Sequence, residues 1–175
     1  MPSRAPDAAP AGDVEIGLGL GSNIGDKPAN IAAALARLDE RGAVRITKVS
    51  SIYRTAPWGY LDQEDFANAC ALATTRLSPQ ALLAEVKGVE AEIGRTAGLR
   101  WGPRVIDVDI LFYGDAEFES PDLMLPHKEL FRRAFVLRPL VEIAPGLTLG
   151  GRSVTEAADA LGADGVEPWF TPRPK

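Results

Sequence analysis

Residues 94–113, GRTAGLRWGPRVIDVDILFY, carry the reading on which the fold turns. Their first half is an arginine-rich loop closed by Gly102 and Pro103. From Val105 the pattern alternates, which puts Ile106, Val108, Ile110 and Phe112 on one face of a strand and Asp107 and Asp109 on the other with Val105 and Leu111. Strand geometry separates the two carboxylates by about 7 Å along the backbone, so they repel unless a cation lies between them. Alone, such a pair reads as the solvated face of an edge strand. Following Arg95, Arg100 and Arg104, it reads instead as a phosphate-handling centre in which Mg²⁺ is shared between one or two carboxylates and phosphate oxygens.

Working outward from this strand, Ser78 and Pro79 open a helix whose Leu82, Val86, Val89 and Ile93 recur at helical spacing. Before it stand strands at about 66–75 and 44–54, joined by the turn-rich loop APWGYLDQED. Asp26 and Pro28 open an earlier helix through Ile31, Leu35 and Leu38, which Gly42 closes. The first strand alternates Val14, Ile16, Leu18 and Leu20 against Glu15, Gly17, Gly19 and Gly21, so its second face is nearly bare and admits a close neighbour or ligand. The order is βαββαβ, which predicts an α+β fold with a ferredoxin-like core and an irregular, partly helical C-terminal addition. Residues 1–13 are expected to be a disordered N-terminal tail, 14–165 a single domain and 166–175 a C-terminal tail.

Composition fits one soluble globular domain: 175 residues, 46% hydrophobic and 25% charged. With 19 basic and 24 acidic residues the net charge is −5, which offers no general attraction to nucleic acid or membrane, so an anionic ligand must be met by a local cluster. The single cysteine, Cys70, lies in an apolar run and reads as a buried small hydrophobe. The first dozen residues lack the apolar core of a signal peptide, and the expected location is cytoplasmic.

The glycines at 17, 19, 21 and 25 match neither G-x-G-x-x-G nor G-x-x-x-x-G-K-[ST], so no nucleotide loop is read there. His127 is the only histidine, which excludes a multi-histidine metal site; among Lys128, Arg132 and Arg133 it is either structural or a hydrogen-bonding partner of phosphate or nucleotide. By residue type Phe66 and Phe135 are core candidates before they are stacking candidates. Trp58, in a Pro-Trp-Gly loop, is harder to place in a core.

Together these residues resemble the 6-hydroxymethyl-7,8-dihydropterin pyrophosphokinase family, through GLGLGSN, SSIYRTAPWGYLDQEDFANA, GRTAGLRWGPRVIDVDILFYGD and LPHKELFRRAFVLRPLVEIAP, in that order from about Ile16 to Pro145. The resemblance implies transfer of pyrophosphate from ATP to the hydroxymethyl group of a reduced pterin, giving AMP and the pterin diphosphate in folate biosynthesis. It implies that Asp107 and Asp109 hold two Mg²⁺ ions, with Asp107 close to the substrate hydroxyl, and that Arg95 and Arg104 act on the transferring phosphates. Lys87, Arg100, Trp101, Ile110, His127 and Arg133 would line the ATP site. Phe66 and Phe135 would sandwich the pterin, Asn68 would hydrogen-bond its edge, and Thr55, Pro57 and Trp58 would wall the pocket. Asn23 would have a supporting role. Two positions depart from the family pattern: Ala97 stands where a second loop arginine is common, and Lys128 follows His127 where Pro or Tyr is common.

The expected partners are small molecules, with no nucleic acid and no membrane, and the expected state is a monomer. The competing readings are a catalytically weak pterin- or nucleotide-binding relative, a metal-dependent nuclease using the same aspartates, and a ferredoxin-like nucleic-acid-binding module. The last needs an aromatic run of the K/R-G-F/Y-G/A-F-V-x-F/Y type, which the chain lacks.

Overall fold

The alternation of large apolar side chains with glycine in Val14–Ser22 (β1) gives the central sheet two unlike faces. A computed structural model describes residues 7–56, 65–96 and 105–169. After β1 come α1 (Lys27–Glu40), β2 (Val44–Val49), β3 (Tyr53–Thr55), β4 (Phe66–Thr75), α2 (Pro79–Thr96) and β5 (Asp107–Tyr113). The C-terminal part comprises β6 (Phe118–Ser120), β7 (Leu123–Leu125), a 3₁₀ turn at Leu130–Arg132, α3 (Ala134–Ile143), β8 (Thr148–Leu149), β9 (Arg152–Ser153), α4 (Val154–Leu161) and β10 (Val166–Pro168). The main sheet runs β10-β3-β4-β1-β5, every pairing is antiparallel, and β2 shares the outer edge of β4 with β3. The pairs β6-β7 and β8-β9 are separate hairpins.

One face of the sheet, carrying Ile16, Leu18, Leu20, Ala67, Ala69, Ala71, Val108 and Ile110, packs against Ile31, Leu35 and Leu38 of α1 and Leu82, Val86 and Val89 of α2. The other face, with Cys70, Leu72, Leu111 and Phe112, packs against Val136, Leu137, Leu140 and Ile143 of α3 and Val154, Ala157 and Ala158 of α4. The sheet is therefore covered by helices on both sides. Both expected helix starts are capped: the Asp26 carboxylate accepts the Ala29 N–H at 3.2 Å, and the Ser78 hydroxyl accepts the Ala81 N–H at 3.3 Å.

Three features differ from the sequence expectation. The strand expected at 44–54 is two strands, because at Ser50 a side chain enters the ladder: its hydroxyl accepts the Cys70 N–H at 2.9 Å, while the Ser51 N–H turns to the Glu142 carboxylate at 2.7 Å. Phe112 was expected beside Ile106, Val108 and Ile110. Instead the register puts Leu18 opposite Ile110 and Gly17 opposite Phe112, leaving Leu111 as an extra residue. A bulge of this kind reverses the facing of the residues beyond it, so Phe112 joins Leu111 in the core under α3 and α4. Finally, Val166–Pro168 of the expected C-terminal tail pair with β3.

Candidate active site

Where α3 and α4 leave their face of the sheet uncovered, a cavity of about 500 Å³ opens. Its floor is fixed by strand register. Gly21 lies between Asn68 of β4 and Asp107 of β5, and two residues along β1 Gly19 lies between Cys70 and Asp109. Because neither glycine has a side chain, nothing rises between these polar groups and the cavity. A Cβ at Gly21 would sit 3.0 Å from Asn68 Oδ1, and one at Gly19 would sit 3.3 Å from Leu111. The bare face of β1 is thus floor under Gly19 and Gly21 and a bed for the Phe112 ring under Gly17.

Thr55, Phe66, Asn68, Asp107, Asp109, Arg133 and Phe135, all expected at the site, line this one cavity. They arrive from three strands and from the N-terminus of α3. Asn68 is held by a hydrogen bond from its Nδ2 to Thr55 Oγ1 at 2.6 Å, which leaves Oδ1 over Gly21 as an acceptor toward the cavity. The Arg133 guanidinium lies over the Phe135 ring, 5.6 Å from its centroid.

Three other expected residues are not brought to the cavity. The Ile110 side chain is buried on the α1/α2 side of the sheet. Lys87 extends from α2 and pairs with Glu90, Nζ to Oε1, at 3.3 Å. His127 sits on the outer edge of β5, where its N–H donates to the Leu111 carbonyl at 2.8 Å and its Nδ1 accepts the Glu129 N–H at 3.1 Å. Burial holds the His127 ring below its ordinary pKa, against the pull of Asp109 in the opposite direction; a neutral ring accepting at Nδ1 presents Nε2–H as a donor. Pro57, Trp58, Arg100, Trp101 and Arg104, together with the side chain of Arg95, lie outside the described residues.

Sequence reasoning missed Glu90. Its carboxylate accepts the Val108 N–H at 2.9 Å, on the edge of β5 between the two aspartates. Burial raises its pKa; the Val108 hydrogen bond and Lys87 oppose the rise, and Asp107 adds to it. The only sequence signal was an acid beside Val89 in an otherwise apolar helical stripe. Glu90→Leu should strand a buried N–H and cost about 1–3 kcal/mol, with a further loss of turnover because the aspartates are no longer set at one height. A thermal melt and a rate assay check this; an unchanged melting temperature would mean that the hydrogen bond has no net value.

Glu129, Arg132, Cys70 and Val136 also line the cavity without having been expected there. Cys70 is fully buried and its Sγ contacts the Val136 carbonyl at 3.4 Å, so burial pushes its thiol far up in pKa and leaves it inert. Among the described residues there is no group of three or more His, Cys, Asp or Glu placed to hold a metal, and no helix long and apolar enough to cross a membrane.

Comparison with known proteins places these observations. The family model for 7,8-dihydro-6-hydroxymethylpterin-pyrophosphokinase (HPPK) matches residues 17–145. The 2-amino-4-hydroxy-6-hydroxymethyldihydropteridine pyrophosphokinase of Methylorubrum extorquens is 48% identical over 150 residues, covering 86% of this chain and 95% of the relative. The protein of the same name from Bacillus subtilis is 46% identical over 126 residues, covering 72% and 75%. The crystal structure of wild-type Plasmodium falciparum HPPK-DHPS with pteroate superposes with a TM-score of 0.67 at 15% identity. That likeness shows the fold alone; it covers 85% of this chain and 42% of the other.

Proposed function

The chain belongs to the 7,8-dihydro-6-hydroxymethylpterin-pyrophosphokinase family, and from that premise we propose that the cavity on the glycine face is where pterin and triphosphate meet. The protein is an ATP-dependent pyrophosphokinase of folate biosynthesis. The observation that carries the site reading is the convergence of Phe66, Phe135, Asn68 and Asp107 on one cavity from segments far apart in the chain. A flat bicyclic ring between the two phenylalanines gains offset stacking. We assign Asn68 Oδ1, oriented by Thr55, to accept from an N–H on its edge, and Asp107 to meet the hydroxymethyl arm.

Transfer of a phosphoryl group to an alcohol depends on in-line placement and charge compensation more than on a covalent nucleophile. The two carboxylates offer oxygen donors from neighbouring rows of one sheet face. That donor set fits Mg²⁺, and our reading is two ions held by Asp107 and Asp109. When bound, the ions would supply charge compensation at the entering and leaving oxygens. Asp107 orients the alcohol. We assign Arg133 at the cavity, with Arg95, Arg100 and Arg104, to phosphate charge, and Lys87, Trp101, Ile110 through its backbone and His127 through Nε2 to the nucleotide. By the family resemblance, Pro57 and Trp58 are the remaining residues we assign to the pterin.

The strand order β5-β1-β4, with β2 and β3 sharing the next position, supports our description of the core as ferredoxin-like with one strand interrupted. We read the protein as a cytoplasmic monomer acting on small molecules only.

Phe66→Leu and Phe135→Leu test the pterin reading because leucine keeps bulk and loses the π-face. Each aromatic contact is worth about 0.5–1.5 kcal/mol beyond its area, so calorimetry should show pterin binding several-fold weaker and nucleotide binding unchanged. Unchanged pterin affinity with a lowered melting temperature would return both residues to core packing.

A further inference from the structure

We propose that Trp169 is a positioning residue for the Thr55–Asn68 pair, acting through β3 from the opposite side of the sheet. The inference rests on the pterin-pocket reading of that pair. β3 has only three residues and is the element that presents Thr55 to the cavity. On its inner edge it is paired with β4, Thr55 opposite Phe66 and Tyr53 opposite Asn68. Its outer edge would be open were it not for β10, which sets Val166 opposite Thr55, Glu167 opposite Arg54 and Pro168 opposite Tyr53.

Trp169 locks this added strand. Its N–H donates to the Ile52 carbonyl at 2.8 Å, extending the pairing one residue before β3 begins. Its ring packs on the core between the sheet and α1. The Arg54 guanidinium lies 4.6 Å from the ring centroid and the Lys27 ammonium, from the first turn of α1, lies 5.7 Å from it. One indole therefore joins three elements: the end of β10, the middle of β3 and the start of α1. Side chains alternate along a strand, so holding Arg54 against the indole directs Thr55 to the other face, where its Oγ1 meets Asn68 Nδ2 at 2.6 Å. The indole is not among the groups lining the cavity, and its effect on a ligand must pass through the backbone of Arg54 and Thr55. Without β10, a strand of three residues would be an open edge with few ladder hydrogen bonds to resist fraying. Without the indole, Thr55 would leave Asn68 free to turn its amide away from the orientation a pterin edge requires.

The test is calorimetry on the full chain with the reduced pterin alcohol, and separately with a non-hydrolysable ATP analogue, for wild type, Trp169→Ala, Trp169→Phe and Arg54→Met. Two cation–π contacts and a packed ring support a weakening of pterin binding by about fivefold or more in Trp169→Ala. Nucleotide affinity should stay within about twofold, and Trp169→Phe should restore most of the pterin affinity. Arg54→Met, which keeps the stem and removes the cation, should fall between. If the Ala variant does not fold, the Phe and Met variants carry the comparison, and pterin affinity equal to wild type in both would overturn the proposal. Equal losses for pterin and nucleotide would also overturn it, since that is the result a general loosening of the fold produces. A wild type that binds nucleotide but no pterin would instead overturn the pocket reading itself.

Discussion

Asp107→Ala and Asp109→Ala should each lower pyrophosphoryl transfer by on the order of a thousandfold or more, the scale on which removal of a single group stabilising transition-state charge is felt, and should leave the fold standing. Both carboxylates lie on the cavity face opposite glycines, so truncation opens no void in either apolar core. Two acids two residues apart also repel, and removing one relieves that cost. The melting temperature of Asp109→Ala is therefore expected to stay level or rise by about 2 °C. Stability gained where activity is lost is the mark of a functional pair. Turnover near the wild-type value at saturating Mg²⁺ would sink the assignment, and a collapse of the melting temperature would make the pair structural.

Gly17→Ala should have a large effect on stability. A Cβ there would overlap the Phe112 ring, which packs against the β1 backbone in the core beneath α3 and α4. The ring is fully buried and shares its core with Leu111 and Leu72, so it cannot move aside freely. Overpacking of this kind costs about 1–3 kcal/mol, which for a chain of this size lowers the melting temperature by about 3–10 °C. Combining it with Phe112→Leu should cost less than the sum of the two single changes, because the smaller side chain clears the space the methyl needs. Strict additivity in a double-mutant cycle would mean that the two residues do not meet.

Much of the candidate site could be read from the chain. Alternation placed Asp107 and Asp109 on one face, and the glycines of β1 announced a surface that something must approach closely. Both follow from the two-residue period of a strand, which needs no knowledge of neighbouring strands. Phe112 failed for the same reason: a bulge is a relation between two strands, and nothing in VIDVDILFY marks Leu111 as the extra residue. The break at Ser50 was hidden likewise, since it depends on Cys70 and Glu142 being opposite. Glu90 was missed because its partner is a backbone N–H, which leaves no trace in residue types, and an acid beside Val89 was the only hint. The strand β10 has only three residues and two of them are exposed, so periodicity could not find it. Phe66 and Phe135 could be paired only through the family resemblance.

The most direct test of the account is product analysis with purified protein, ATP, Mg²⁺ and the reduced pterin alcohol, scoring AMP, ADP and the pterin diphosphate. AMP and the pterin diphosphate are expected in equal amounts, with neither formed when ATP or the pterin alcohol is left out. Formation of ADP with a pterin monophosphate, or of AMP without the pterin, would contradict transfer of an intact pyrophosphoryl group to the pterin alcohol.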